Sequence, residues 1–245
     1  VFLFLPMAVL VTLSFNSARR GAKWEGFTLD WYSKLFSNEA ILEPLLRSLE
    51  IAFLAAVLSA IFGVAVALTL VRGTGWSRAV LSRMASLPIV LPDIVQGLSL
   101  LCFFVLIGLP LGELSIIVAH TAFGTAYVAT LVKARLAGID PLIEEAAADL
   151  GADPLVILTK ITLPQLWPAV VSGMLMVFTL SFDDFIIAFF TAGVGATTLP
   201  LKIYSMLKFG VSPEVNALSV LILLFSLTLV TLAFWNQNKK TAAAA

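Results

Sequence analysis

The sequence predicts an all-α integral membrane protein with six transmembrane helices, the first of them cut short at its N-terminus. Three observations predict it. Hydrophobic residues make up 60% of the chain and charged residues 12%, against roughly 45–50% and about 25% in soluble globular chains. Mean hydropathy is +1.03, so no soluble fold could hide this much apolar surface and lipid must be the solvent for much of it. The apolar residues are gathered into segments of spanning length separated by polar connections.

Residues 1–15 would span only about 22 Å as a helix, short of the roughly 30 Å hydrocarbon core. They are expected to be a first transmembrane helix whose beginning is missing. A signal peptide would show a basic leading region and a small-residue cleavage site, and neither is visible. Further spans are expected at 45–71, with Arg47 and Glu50 near its outer end, and at 79–108, 114–132, 167–190 and 215–235, all within one transmembrane domain over 1–240. Pro88 and Pro92 interrupt the third span. They mark either a simple kink or a helix packed near a pathway, since irregular backbone at membrane depth is tolerated only against protein or water. Six spans put both termini on one side. Basic residues divide eight to seven between the two sides, so the positive-inside rule leans only slightly towards termini inside.

Composition excludes several function classes. With 15 basic and 15 acidic residues the net charge is zero, and nucleic acid is not an expected partner. Cys102 has no second cysteine to bond, and the lone His120 cannot build a multi-histidine metal site. There is no phosphate loop, so the chain does not hydrolyse ATP itself. The paired-carboxylate chemistry of an aspartyl protease lacks its Gly-x-Gly-Asp setting around Asp93 and Asp183, and no Ser/His arrangement appears. No enzyme activity and no cofactor in this chain are expected.

The one long polar segment on the presumed inner side is 139–164. Asp140 suits an N-cap, with Pro141 at the first helical position and Glu144 in the first turn. A short helix from Leu142 should stop at Gly151. Asp153 and Pro154 should start a second one, ended by Pro164. Small Ala146, Ala147 and Ala148 would let another surface approach closely.

Glu145-Ala146-Ala147, then Gly151, then Ile161-x-Leu163-Pro164 resemble the EAA signature of the permease subunits of bacterial ABC importers, with every fixed position present at the right spacing. The resemblance implies the type I importer permease fold, with Glu145, Ala146, Ala147 and Gly151 as the core that docks on an ATPase. It implies a second permease subunit in a heterodimer, two ATPase subunits that hold ATP and Mg, a periplasmic binding protein and a multi-pass place in the bacterial inner membrane, working by alternating access. Leu87-Pro-Ile-Val-Leu-Pro92, Ser181-Phe-Asp-Asp-Phe185, Phe190-Thr-Ala-Gly193, Thr198-Leu-Pro-Leu201, Ile203-Tyr-Ser-Met206 and Gly210 to Leu218 are similar to the polyamine permeases, those for spermidine and putrescine. Relatives for ferric iron, sulfate or other small solutes share parts of these stretches. A secondary transporter is the further alternative, although the matched broken helices of inverted repeats are not apparent.

Asp93, Asp183 and Asp184 fall inside apolar spans. Intramembrane carboxylates cost roughly 2.5–3.5 kcal/mol each, so a functional role is the default. Asp93 is expected near the middle of its span and Asp183 towards the outer part of the fifth. Adjacent helical residues point about 100° apart, so one of Asp183 and Asp184 would face a pathway while the other meets a neighbouring helix or caps a bent segment. Carboxylates would offset part of the desolvation of an ammonium chain, and Phe182, Phe185 and Tyr204 could add cation–π attraction. His120 is expected to hydrogen-bond between helices; Glu113, Gln96 and Asn216 are expected in packing or loops.

Overall fold

A computed structural model describes residues 2–18, 23–208 and 213–224, and every described element longer than an isolated bridge is helical. Arg19, Arg20, Gly210, Lys239, Lys240 and positions 225–235 of the expected last span lie outside the described residues. The chain divides into two compact units, one of residues 44–201 and one that combines 1–43 with 202–245.

In the first unit, uninterrupted apolar runs become long helices. α3 (Glu39–Arg72), α6 (Glu113–Leu136) and the continuous helical run Pro154–Asp183 are each long and apolar enough to cross a membrane. Lipid tails are as apolar as leucine, so these helices cohere through close packing of small residues rather than through a hydrophobic drive. Ala56, Ala60 and Ala67 of α3 supply such a face, packed with Val128, Val132 and Leu136 of α6 and with Leu166, Val170 and Val177 beyond Thr162. A second cluster joins Phe104, Ala119, Phe123 and Ile187.

The expected span 79–108 is two helices, α4 (Gly75–Val90) and α5 (Asp93–Leu106), whose axes turn by 120°. Proline disfavours the α region in the residue before it, and Leu91 is extended at ψ 136. Asp93 therefore opens α5 at the break instead of lying mid-span. Among the described residues three helices can span, or four when this bent pair counts as one.

Two further expectations are corrected. Pro164 does not end the second short helix. α7 (Leu142–Asp149) stops before Gly151, and after it α8 (Pro154–Ile157), a π-helical turn (Leu158–Thr162) and α9 (Leu163–Asp183) run on from one another without interruption. Leu163 N–H bonds the carbonyl of Leu158, five residues back. The wider turn accommodates a ring that would clash in a regular helix and that brings no N–H of its own. The span 167–190 breaks too: Asp184 is extended at ψ 124 and α10 (Ile186–Thr191) starts afresh.

The other unit holds α1 (Leu5–Ser14), α2 (Asp30–Ser37) and the apolar helix α12 (Pro213–Leu224). The short amphipathic α2, absent from the sequence reading, buries Trp31 and Leu35, four residues apart on one face. Trp31 Nε1 donates to the Asn16 carbonyl at 2.7 Å, and the Ser14 and Tyr32 hydroxyls meet at 2.8 Å. α11 (Leu199–Lys208) crosses the division at Leu201.

Candidate functional site

The two helix breaks bring three acids to one place. Asp93 at the start of α5, Asp183 at the end of α9 and Asp184 beyond it all line a cavity of about 330 Å³, with Phe123 and Tyr127 of α6 and with Phe185. The pairing of α5 with α10 joins the two broken segments.

Asp184 is held by protein. Its Oδ1 accepts the Ile187 N–H at 3.3 Å and its Oδ2 the Ala188 N–H at 2.8 Å. This is the behaviour of an N-cap, which supplies acceptors for donors that the first turn leaves open. Buried His120 approaches the same Oδ2 through Nε2 at 3.2 Å, and its Nδ1 lies 2.6 Å from the Ser181 hydroxyl. With Nε2–H donating to the carboxylate, a neutral ring accepts the serine proton at Nδ1. His120 is thus the interhelical residue expected, and it is the basic partner that no residue within Asp184's own helix provides.

Asp93 and Asp183 differ. Both side chains are exposed, and neither joins an ion pair among the described residues. Two such carboxylates facing a partly apolar cavity attract a cation and repel an anion. The faces of Phe123, Tyr127 and Phe185 can add attraction for an ammonium group.

Two residues expected in the pathway are not among those that line this cavity. Phe182 is buried and stacks on Phe178 at 6.2 Å, away from the cavity lining. Tyr204 lies on α11 in the other unit and is half exposed. Phe123 and Tyr127 were missed. Their spacing with His120, at i, i+3 and i+7, was the available signal, because it places all three on one helical face.

The second candidate surface is the segment around α7. Asp140 Oδ1 accepts the Leu142 N–H at 3.0 Å, as an N-cap should. At the other end Gly151 has φ +82, Ala152 N–H reaches the Ala147 carbonyl at 3.0 Å and Gly151 N–H the Ala148 carbonyl at 2.9 Å. This pair of bonds is a Schellman stop, which needs a left-handed residue that glycine adopts without a Cβ penalty. Glu145, Ala146 and Gly151 are exposed and Ala147 is half-buried. Leu142 (63% exposed), Leu150 (90%) and Leu155 (72%) stand beside them. Apolar side chains grouped on a polar knuckle suit contact with another protein or with the membrane surface. Glu144, which the sequence placed only in the first turn, ties this knuckle to the spans. Its Oε1 accepts from Arg72 Nη2 at the end of α3 and from the buried Thr162 hydroxyl in the π turn at 2.7 Å.

Residues 39–238 match the family described as binding-protein-dependent transport system inner membrane component. The chain is 43% identical to a spermidine/putrescine transport system permease protein, PotC, of Haemophilus influenzae, over 95% of this chain and 90% of that one. It is 46% identical to the putrescine transport system permease protein PotI of Escherichia coli K12, over 91% and 82% respectively. Solved structures share the fold. A methionine ABC transporter, MetNI, in inward-facing conformations aligns with TM-score 0.64 at 20% identity, covering 79% of this chain and 92% of that one. A bacterial ABC transporter involved in alginate import aligns with TM-score 0.72 at 17% identity, covering 95% and 88%.

Proposed function

The chain belongs to the family of inner membrane components of binding-protein-dependent transport systems and is a membrane permease subunit, and from that premise we propose that it forms half of the pathway for a polyamine, spermidine or putrescine, in an ATP-binding-cassette importer of the bacterial inner membrane. The observation that carries this proposal is the convergence of Asp93 and Asp183 on an aromatic-lined cavity at two helix breaks. A polyamine is a flexible chain of ammonium groups. Separated carboxylates offset its desolvation, and rings hold the charges between them. The same acids disfavour an anion such as sulfate. The names of the relatives support the same solute class.

A second permease completes the pathway, a periplasmic binding protein delivers the solute, and two partner ATPases hold ATP and Mg. The exposed knuckle of Glu145, Ala146, Ala147 and Gly151 is the surface proposed to dock an ATPase. Closure of the ATPases moves the knuckle, and the clasp of Glu144 on Arg72 and Thr162 passes that movement to α3 and α9. The cavity then opens outward, and hydrolysis resets it.

The test is reconstitution of the complete transporter in proteoliposomes with labelled spermidine and putrescine. ATP-dependent uptake, competed by polyamines and not by methionine or sulfate, is expected. Uptake that persists without ATP or without the ATPase subunits would overturn the proposal in favour of a secondary transporter.

A further inference from the structure

The 120° break between α4 and α5 leaves backbone acceptors open. In a continuous helix the Pro88 carbonyl would accept from residue 92, but Pro92 has no N–H. The Leu91 carbonyl would accept from Val95, whose N–H instead bonds the Pro92 carbonyl at 2.9 Å. Unpaired carbonyls at membrane depth are costly because lipid offers no donor. One side chain answers both. Gln96 Nε2 donates to the Pro88 carbonyl and to the Leu91 carbonyl, each at 3.0 Å.

The position of Gln96 gives this pair of bonds a consequence. Gln96 and Pro88 both line the acid cavity, and both also line a neighbouring cavity of about 380 Å³, otherwise walled mainly by apolar residues such as Val66, Met84 and Ala126. Asp93 lies three residues before Gln96, on the same side of α5. The next residue, Gly97, sits so close to α10 that a Cβ there would lie 2.8 Å from the Phe190 ring and 3.3 Å from Ile187 Cα. α5 is therefore fixed on α10 and α4 rests on α6, so the elbow sets how these two packed arms meet.

We infer that the Gln96 carboxamide is the pin of this elbow, a positioning residue that holds Asp93 at the acid cavity and keeps the Pro88–Gln96 wall between that cavity and its apolar neighbour. The link to transport rests on the acid cavity being the solute site, whereas the pin itself does not.

The experiment uses the assembled transporter carrying Cys102→Ser, with spin labels at Ser82→Cys on α4 and Leu106→Cys on α5, and compares native Gln96 with Gln96→Met and Gln96→Glu. Both variants match glutamine in size and remove the donors; Glu also adds a negative charge. Both should shift or broaden the distance between the labels, and both should lower polyamine uptake roughly tenfold, the scale of two intramembrane hydrogen bonds. An unchanged label distance in both variants overturns the pin whatever the solute is. A shifted distance with native uptake overturns the link to the cavity. Native distance with stronger uptake in Gln96→Glu shows a cation ligand instead and also overturns the pin. A native complex that takes up no polyamine fails the proposed solute, while the label distances still decide the pin.

Discussion

Reversing the charge at either end of the Arg72–Glu144 contact should disconnect ATP hydrolysis from transport, and reversing both should reconnect them. Glu144 Oε1 takes two donors at once, the Arg72 guanidinium and the buried Thr162 hydroxyl. A hydrogen bond to a charged group contributes roughly 1.5–3 kcal/mol, and an exposed ion pair only roughly 0.2–1 kcal/mol. The side chains here are 39% and 23% exposed, so solvent screens the pair in part and about 1–2 kcal/mol is the expected scale, a 5- to 30-fold change in an equilibrium. That is enough to let the knuckle move without pulling α3 and α9. Arg72→Glu and Glu144→Arg should each leave the complex assembled with ATPase activity present, while the transport per ATP hydrolysed falls severalfold. The double reversal should recover much of the loss. The assay is paired measurement of phosphate release and solute uptake in the same proteoliposomes, with assembly checked by size-exclusion chromatography. Native transport per ATP in either single variant, or a double reversal no better than the singles, would refute the clasp.

Three other outcomes test the remaining assignments. Asp183→Asn and Asp93→Asn should each raise the KM for polyamine roughly tenfold without loss of assembly; a unit charge at about 4 Å gains about 4 kcal/mol at an effective dielectric of about 20, and desolvation offsets part of it. An unchanged KM in both variants removes them from the solute site. Asp184→Ala and His120→Ala should act on stability instead, lowering the Tm of the complex by several degrees, because a cap and a buried hydrogen bond are each lost at about 1 kcal/mol or more; a tenfold KM change at native Tm would contradict the structural role. Gly151→Ala places a Cβ in open space but at φ +82, a strain of roughly 1–2 kcal/mol. It should reduce coupled uptake, Gly151→Asn should restore part of it since asparagine tolerates the left-handed region, and native uptake in the alanine variant would dismiss the role given to the Gly151 stop.

Much of the fold was legible because lipid imposes a simple grammar. Long apolar runs must become helices, and α3 (Glu39–Arg72) and α6 (Glu113–Leu136) contain the runs expected at 45–71 and 114–132. The ends of α7 were equally legible, since Asp140 and Gly151 act through bonds within a few residues. The breaks were legible only in part. Pro92 announced an interruption, but its 120° angle depends on Gln96 and on the close contact of Gly97 with α10. The break at Asp184 was legible only as one alternative, a bent segment capped by one of the two adjacent aspartates, and the sequence did not say which aspartate or where the helix stops.

By itself the sequence determined the solvent of the protein, the helical class and the ends of the knuckle helix, which follow from composition or from bonds between near neighbours, while its resemblance to the EAA signature implied the family. Only the tertiary structure decided which acids stand free at the cavity and which are held by protein. It turned Asp184 inward to cap α10 and meet His120, from another helix, and it moved Asp93 from mid-span to a break facing Asp183. It also recruited Glu144, one position before the motif, as the link to Arg72. A carboxylate's role depends on which donors lie within about 3 Å of it, and for Asp184 and Glu144 some of those donors, His120 for the one and Arg72 and Thr162 for the other, come from elements far away in the chain.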